Sequence, residues 1–179
     1  MSKVLVVYSS LTDNTKKVAE AISAAIPGSE LASVDKTELD ELKDLSGYEA
    51  IIVGFWVDKG RADPKTLKFF EKLKNQTTAF FFTLGAYPDT KHADDVASST
   101  EKLLTEGGNK VLGHFRCQGK VDPNLLEKMK KMLPPDHPHS QMTPERQARL
   151  DEAAKHPNEE DFQKAAAFAR DTLSKIASK

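Results

Sequence analysis

The residues best suited to bind a ligand form a short polar segment near the start of the chain, Ser9-Ser10-Leu11-Thr12-Asp13-Asn14-Thr15. Their hydroxyl and amide groups are short hydrogen-bond donors. The segment follows the apolar run Val4 to Tyr8 and precedes a helical pattern of apolar residues. A helix starting there would add unpaired backbone N–H groups and the positive end of its dipole. The segment therefore predicts a site for an anion such as a phosphate group.

This segment matches neither of two common phosphate-binding patterns. A Walker loop needs Gly-x-x-x-x-Gly-Lys-Ser/Thr, and a dinucleotide fold needs Gly-x-Gly-x-x-Gly. Asp13 has two interpretations. Its carboxylate repels a bound phosphate unless it faces solvent, with Lys16 and Lys17 offsetting the repulsion, or it is a helix N-cap that occupies the N–H groups a phosphate needs.

Two later segments place aromatic residues at the ends of apolar strands. Phe55-Trp56-Val57-Asp58-Lys59-Gly60-Arg61-Ala62 follows one strand, and Thr83-Leu84-Gly85-Ala86-Tyr87-Pro88 follows the next. Trp56, the only tryptophan, and Tyr87 could stack on a planar ligand, and Gly85 would let backbone N–H groups approach it. The alternatives are core packing for Trp56 and an ordinary turn aromatic for Tyr87.

Other reactive side chains favour structural interpretations. Cys117 lies at the end of the fifth predicted strand, at the same edge, but a lone cysteine has no resolving partner, so we expect it to pack. His137, His139 and His156 could be metal ligands, but the neighbouring prolines favour a solvated loop. Because no catalytic triad, metal motif or carboxylate pair stands out, we predict no catalytic residue and no metal site, and we expect a cofactor to do the chemistry.

The elements that must position these segments alternate along the chain. Central strands are predicted at 4–8, 48–56 and 78–85, a fifth strand at 110–117, and a weaker edge strand at 30–34. Helices at 16–26, 39–45, 63–73, 89–107 and from Asp122-Pro123 onward separate or follow them. Alternation predicts an α/β, doubly wound, five-stranded parallel sheet of order 2-1-3-4-5 with helices on both faces. Loops 9–15, 55–62 and 84–92 then converge at the switch point between the first and third strands.

The predicted buried faces follow helical spacing. Residues 134–158 read as a surface excursion with a small helix after Thr143-Pro144, before a final helix returns to the sheet. The apolar residues at helical spacing are Val18, Ala21, Ile22, Ala25, Leu39, Leu42, Leu45, Leu67, Phe70, Leu73, Val96, Leu103, Leu104, Leu125, Leu126, Met129, Phe162, Ala165, Ala166, Ala169, Leu173 and Ile176. Among them we expect Leu67, Phe70 and Leu73 of the helix at 63–73 and Val96, Leu103 and Leu104 of the helix at 89–107 to be buried, and the stripe from Phe162 to Ile176 to dock on the sheet.

Length and composition further limit the possible domain organisation, partners and location of the protein. The 179 residues suit a single domain, 1–179, and 26 basic against 27 acidic residues leave a net charge of −1. This balance disfavours a nucleic-acid partner, and no apolar run is long enough to span a membrane. With one cysteine and no signal peptide, we expect a cytoplasmic protein that is a monomer or a weak dimer.

The segment from Ser9 to Thr15 resembles the phosphate loop of the flavodoxin family, usually written Ser/Thr-x-Thr-Gly-Asn-Thr. The resemblance covers about residues 3–133 and the final helix. It implies a flavodoxin-like fold that holds flavin mononucleotide (FMN), with an aromatic residue of the second loop against the inner face of the ring. Asp13, where the family usually has glycine, and the near-neutral charge, where general electron carriers are far more acidic, are departures. The implied cofactor-binding residues are Ser9, Ser10, Leu11, Thr12, Asn14, Thr15, Phe55, Trp56, Val57, Asp58, Gly60, Leu84, Gly85, Ala86 and Tyr87.

The resemblance implies an electron-transfer protein that passes electrons to or from a partner redox protein through FMN. Two alternatives stay open. One is an FMN-dependent reductase of the NAD(P)H and quinone type, which handles its own small-molecule substrate. The other is a flavodoxin-fold interaction module that has lost the flavin. The choice between carrier and enzyme rests on analogy of fold.

Overall fold

The computed structural model of the protein describes residues 3–35, 42 and 44–178. The strands are β1 (Val4–Tyr8), β2 (Glu30–Ser33), β3 (Ala50–Asp58), β4 (Arg61–Ala62), β5 (Thr77–Leu84) and β6 (Lys110–Gln118). The helices are α1 (Asn14–Ala24), α2 (Pro64–Lys72), α3 (Lys91–Glu106), α4 (Pro123–Met132), α5 (Pro144–Ala153) and α6 (Glu159–Ala177). The predicted helix at 39–45 falls largely outside the described residues.

The five main strands form one parallel sheet in the order β2-β1-β3-β5-β6. This confirms the predicted order of five strands and places the switch point between β1 and β3. Residues on alternate sides of β1 enter different apolar clusters, Leu5 and Val7 on one face and Val4 and Val6 on the other. Helices α2 and α3 cover the first face, and α1 and α6 cover the second, so both faces of the sheet are buried.

The segment predicted as loop 55–62 is mostly a hairpin. β3 continues to Asp58, and β4 pairs with it antiparallel, with Val57 opposite Ala62. Lys59 and Gly60 form the turn with φ angles of 50° and 80°, the positive values that a tight two-residue hairpin needs. The sequence prediction was wrong here because the apolar strand pattern ends at Trp56, whereas the backbone pairing extends past it.

Two predicted buried faces also need correction. In α2 the inward side is Thr66, Phe69, Phe70 and Leu73, a complete helical stripe, and Leu67 is only partly buried at its edge. In α3 the inward stripe includes Thr100 and Leu104, so Leu103 lies 42% exposed. Phe70, Leu73, Val96 and Leu104 are buried as predicted, so the predicted faces differ from the observed ones only at Leu67 and Leu103.

The excursion at 134–158 contains the small helix predicted after Thr143, whose hydroxyl accepts a hydrogen bond from the Arg146 N–H. The chain then returns through α6, which begins with a reciprocal capping box between Asn158 and Asp161. Ala165, Ala169 and Ile176 of α6 are buried on the α1 side of the sheet. In the described part of the chain, no helix combines the length and apolarity needed to cross a membrane.

Candidate ligand-binding groove

One groove lies at the carboxyl edge of the sheet, where the first, second and third predicted loops meet. Its walls come from the β1–α1 loop, the ends of β3 and β5, and the segment that follows β6. The lining residues are Ser10, Leu11, Thr12, Asn14, Thr15, Trp56, Val57, Thr83, Leu84, Gly85, Gly119, Lys120, Val121, Asp122 and Leu125. Most of the predicted polar residues are therefore brought together in one place.

The β1–α1 loop presents unused backbone donors. Within the described residues, the N–H groups from Thr12 to Thr15 have no hydrogen-bond acceptor. The next N–H, that of Lys16, donates to the Ser10 hydroxyl at 3.2 Å. These free groups lie in the loop and first turn of α1, where the helix dipole adds positive potential. The arrangement can accept an oxyanion with several hydrogen bonds.

Asp13 holds the position before α1 in a left-handed backbone conformation, with φ 67° and ψ 0°. Its side chain is exposed and makes no capping hydrogen bond. Residues with a β-carbon rarely adopt this conformation, although aspartate tolerates it better than most, and glycine adopts it freely. The N-cap interpretation thus describes the position of Asp13 but not an interaction of its carboxylate.

Two side chains at the start of α1 join the loop to the neighbouring strands. The Thr15 hydroxyl lies 2.9 Å from the Thr83 hydroxyl of β5, and both groups are buried. The Asn14 amide donates to the Lys120 carbonyl at 2.9 Å and to the Thr12 hydroxyl at 3.3 Å. These bonds fix the spacing between the polar loop and the segment after β6.

Ser9, although predicted to bind the ligand, is turned beneath the loop and is 1% exposed. Its hydroxyl donates to Asp63 at 3.0 Å and approaches Asp35 at 3.3 Å. The Ser10 N–H also donates to Asp35 at 2.8 Å, and Lys65 pairs with the same carboxylate at 3.0 Å. The N–H of Ser10 is thus held by a carboxylate of the chain itself.

Asp63 is a buried carboxylate that caps α2 by accepting from the Lys65 and Thr66 N–H groups and the Thr66 hydroxyl. Burial raises the pKa of Asp63, and the nearby charge of Asp35 raises it further, while hydrogen bonds from Thr66 and Ser9 oppose the rise. The sequence predicts a helix that starts at residue 63 but does not reveal this pair of carboxylates. Asp35 lies 28 residues before its partner, at the end of an edge strand, and no local pattern links the two.

The predicted ring-binding residues divide among four places. Trp56, Val57, Leu84 and Gly85 line the groove. Phe55 is fully buried and stacks on Phe82 with ring centroids 5.3 Å apart. Asp58 and Gly60 lie at the β3–β4 hairpin, and Ala86 and Tyr87 line a neighbouring cavity.

The segment from Gly119 to Leu125 narrows the groove. A β-carbon built on Gly85 would lie 2.4 Å from Val121 Cγ2, and one on Gly119 would lie 3.0 Å from the Asn14 amide. The cavity volume is about 80 Å³, whereas sites that bury a drug-sized ligand usually have about 300–1,000 Å³. The free donors and the small volume fit a phosphate group, but a fused ring system requires this segment to move. Sequence reasoning missed Val121, Asp122 and Leu125, although Gly119 at the strand end marked a close approach of two backbones.

The remaining reactive side chains lie outside the groove. Cys117 is buried, and burial raises the pKa of its thiol, which keeps it protonated and supports the packing interpretation. The His137 and His139 rings lie 5.4 Å apart on the excursion. His156 contacts Asp161 at 2.6 Å and Glu152 at 3.3 Å.

Comparison of the sequence with protein families gives a match to the family described as Flavodoxin domain over residues 5–170. The chain is also 35% identical over 178 residues to the flavodoxin-like domain-containing protein BilS of Clostridioides difficile strain CD3, covering 98% of each chain. A second BilS, from Clostridium symbiosum, is 29% identical over 144 residues, which are 73% of this chain and 75% of that one.

Solved structures share the fold at low sequence identity. A flavodoxin from the domain Archaea superposes with a TM-score of 0.60 at 19% identity and covers 98% of this chain and 99% of its own. A flavoprotein from Lactobacillus acidophilus NCFM, solved in complex with FMN, has a TM-score of 0.52 at 23% identity, over 72% of this chain and 98% of its own. At these identities the likeness establishes the fold alone.

Proposed function

Because the chain belongs to the flavodoxin family, we propose that it binds FMN in the groove and passes electrons to or from a partner redox protein. The observation that carries this proposal is the row of unbonded N–H groups from Thr12 to Thr15 beside hydroxyl and amide side chains. Such a row suits a phosphate ester, and the flavoprotein with the same fold was solved with FMN.

The phosphate end of FMN would be held by the β1–α1 loop. Thr12 and Asn14 line the groove and offer side-chain donors close to the free backbone groups. The Thr15 hydroxyl already has a partner in Thr83, so its contribution would come mainly from its backbone N–H. Hydrogen bonds to a charged group contribute about 1.5–3 kcal/mol each, so a few of them can hold the phosphate without a metal ion.

The ring end would lie against Trp56 and Gly85, which line the same groove. Trp56 offers an aromatic face, and Gly85 has no side chain that would stand between its backbone N–H and the ring. When bound, FMN supplies the one- and two-electron chemistry that amino-acid side chains lack. The task of the chain is then to orient the ring and to exclude water, and the segment with Val121 and Leu125 would have to move outward to admit the ring.

Titration with FMN tests the proposal directly. Trp56 is the only tryptophan, so its fluorescence reports on the groove alone, and a stacked flavin should quench it at one-to-one stoichiometry. Riboflavin, which lacks the phosphate, should bind far more weakly. Trp56→Ala should lose about 1–3 kcal/mol of affinity, the range for stacking a planar base, measured by quenching of the flavin emission. Tryptophan emission that stays constant through saturation with FMN would refute contact with this groove.

Turnover measurements separate a carrier from a reductase. A carrier loaded with FMN should oxidise NADH or NADPH slowly unless a partner reductase is added. A reductase should turn over with a quinone acceptor and no other protein. Rapid quinone reduction by the purified protein would overturn the assignment as a carrier but leave FMN binding intact. A purified protein that neither contains nor takes up FMN would favour the interaction module.

A further inference from the structure

A second cavity adjoins the groove and is formed largely by the excursion. It lies between the end of β5, helix α4 and helix α5, and has a volume of about 670 Å³. Its apolar wall includes Ala86, Leu126, Met129 and Leu150. The cavity meets the groove at Gly85 and Val121, which line both. Its size falls within the range of about 300–1,000 Å³ typical of small-molecule sites.

Two arginines of α5, Arg146 and Arg149, also line this cavity, together with polar side chains that include His92, His139 and Glu145. The Nε atoms of both are buried and have no hydrogen-bond partner within the described residues. Arg146 still donates through Nη1 to the carbonyls of His139 and Gln141. Arg149 has no hydrogen bond or ion pair from its guanidinium to any described residue, although Glu145 lines the same cavity. Its backbone is fixed, because the Gln118 amide donates to its carbonyl at 3.4 Å.

Burial of the Arg149 Nε without a hydrogen-bond acceptor is costly, because this N–H has lost water and no protein atom replaces it. An oxyanion is the natural partner, since the planar guanidinium can donate two parallel hydrogen bonds to a carboxylate. The apolar wall in turn suits a hydrophobic body. We propose that this cavity binds a small apolar organic acid, with its carboxylate on Arg149 and its hydrocarbon part against Leu126, Met129 and Leu150.

This site goes beyond FMN binding and does not depend on it, because no residue of the phosphate loop lines the cavity. The shared residues Gly85 and Val121 place it next to the Trp56 end of the groove. A molecule held there would lie beside a flavin bound in that groove. The test can therefore use the protein without FMN, so that its outcome is independent of the titration proposed above.

Anilinonaphthalene sulfonate is a suitable probe, because it joins an apolar fluorophore to an oxyanion. Its uncharged parent, phenyl-naphthylamine, has the same rings without the sulfonate. The sulfonate should bind the full chain at one site and at least ten-fold more tightly than the parent. Arg149→Gln should remove most of that difference, and Leu126→Asn should weaken both probes. Arg170→Gln on the exposed side of α6 is the matched control and should change neither.

Competition identifies the site. Inorganic phosphate, which would compete at the β1–α1 loop, should not displace the sulfonate, and Thr12→Ala should leave its affinity unchanged. The proposal is overturned if Arg149→Gln binds the sulfonate as tightly as the native chain, or if the two probes bind equally well. It is also overturned if phosphate displaces the probe. Circular dichroism of each variant shows whether it is folded, so that binding of the probe by unfolded protein is recognised.

Discussion

Replacing Asp13 separates two effects that act at the same residue. The left-handed backbone there, with φ 67°, favours glycine, and the exposed carboxylate lies next to the donors that would hold a phosphate. Asp13→Gly changes both the backbone preference and the charge. Asp13→Asn removes the charge but keeps a residue that tolerates the conformation. Asp13→Ala removes the charge and keeps the conformational cost, so the three variants form a complete series.

The expected magnitudes are modest. Two unit charges about 6 Å apart repel by about 3 kcal/mol at an effective dielectric of about 20 and by about 0.7 kcal/mol in water. Because Asp13 is exposed, the smaller value applies, and all three variants should bind FMN about three-fold more tightly. The gain should shrink at high salt, where screening acts within about 3 Å at 1 M.

Stability should follow a different order from affinity. Relief of the left-handed strain stabilises the folded state by roughly 1–2 kcal/mol. The greater freedom of glycine in the unfolded chain reduces this gain by about 0.4–1 kcal/mol. Asp13→Gly should therefore raise the free energy of unfolding by about 0.5–1 kcal/mol, Asp13→Asn should leave it unchanged, and Asp13→Ala should not raise it.

Urea denaturation measures the stability of the three variants, and FMN titration at two salt concentrations measures their affinity. The reasoning about charge fails if Asp13→Asn leaves FMN affinity unchanged at low salt. The reasoning about geometry fails if all three variants weaken FMN binding and destabilise the fold together. That result would mean that the Asp13 side chain caps α1 in solution.

Three further predictions follow from single contacts. Thr12→Ala should weaken FMN binding by about 1–3 kcal/mol without changing stability, since it removes an exposed donor to a charged group. Thr15→Ala should also lower the melting temperature, because it leaves the Thr83 hydroxyl unpaired. Gly54→Ala should destabilise the fold by about 1–3 kcal/mol, seen in urea denaturation, because its β-carbon would lie 2.0 Å from the Phe81 ring; an unchanged midpoint would contradict this. Burial lowers the pKa of His156, but hydrogen bonds and charges from Asp161 and Glu152 outweigh this effect and raise the pKa above 6.5. The free energy of unfolding should therefore fall as the pH rises above about 6.5. His156→Gln should remove this dependence on pH.

The sheet was predictable because its strands are buried on both faces. Runs such as Ile51 to Phe55 have no polar face and can only be central, whereas the weak run at 30–34 had to lie at an edge. The extent of β3 was not predictable, since the Val57 to Ala62 hairpin is held by backbone pairing and by positive φ at Lys59. Hydrophobic periodicity carries no information about either.

The groove was predictable only where the ligand-binding residues lie close together in sequence. The segment from Ser10 to Thr15 has its donors in consecutive positions, so local pattern sufficed. Phe55 and Trp56 are neighbours with opposite environments, because successive side chains of a strand point to opposite faces. Contacts between residues that lie far apart in the sequence could not be predicted. The contact of Asp35 with Ser10 and that of Lys120 with Asn14 join residues 25 and 106 positions apart.

The backbone of Lys120 connects the walls of the two cavities through its carbonyl and its N–H. Its carbonyl accepts from Asn14 in the polar loop, and its N–H donates to the His156 carbonyl at 3.0 Å, just beyond α5. A flavin that pushes this segment aside strains the excursion, and an acid that steadies α5 resists the push. We therefore expect antagonism between the two ligands. By thermodynamic linkage, each must weaken the other by the same factor.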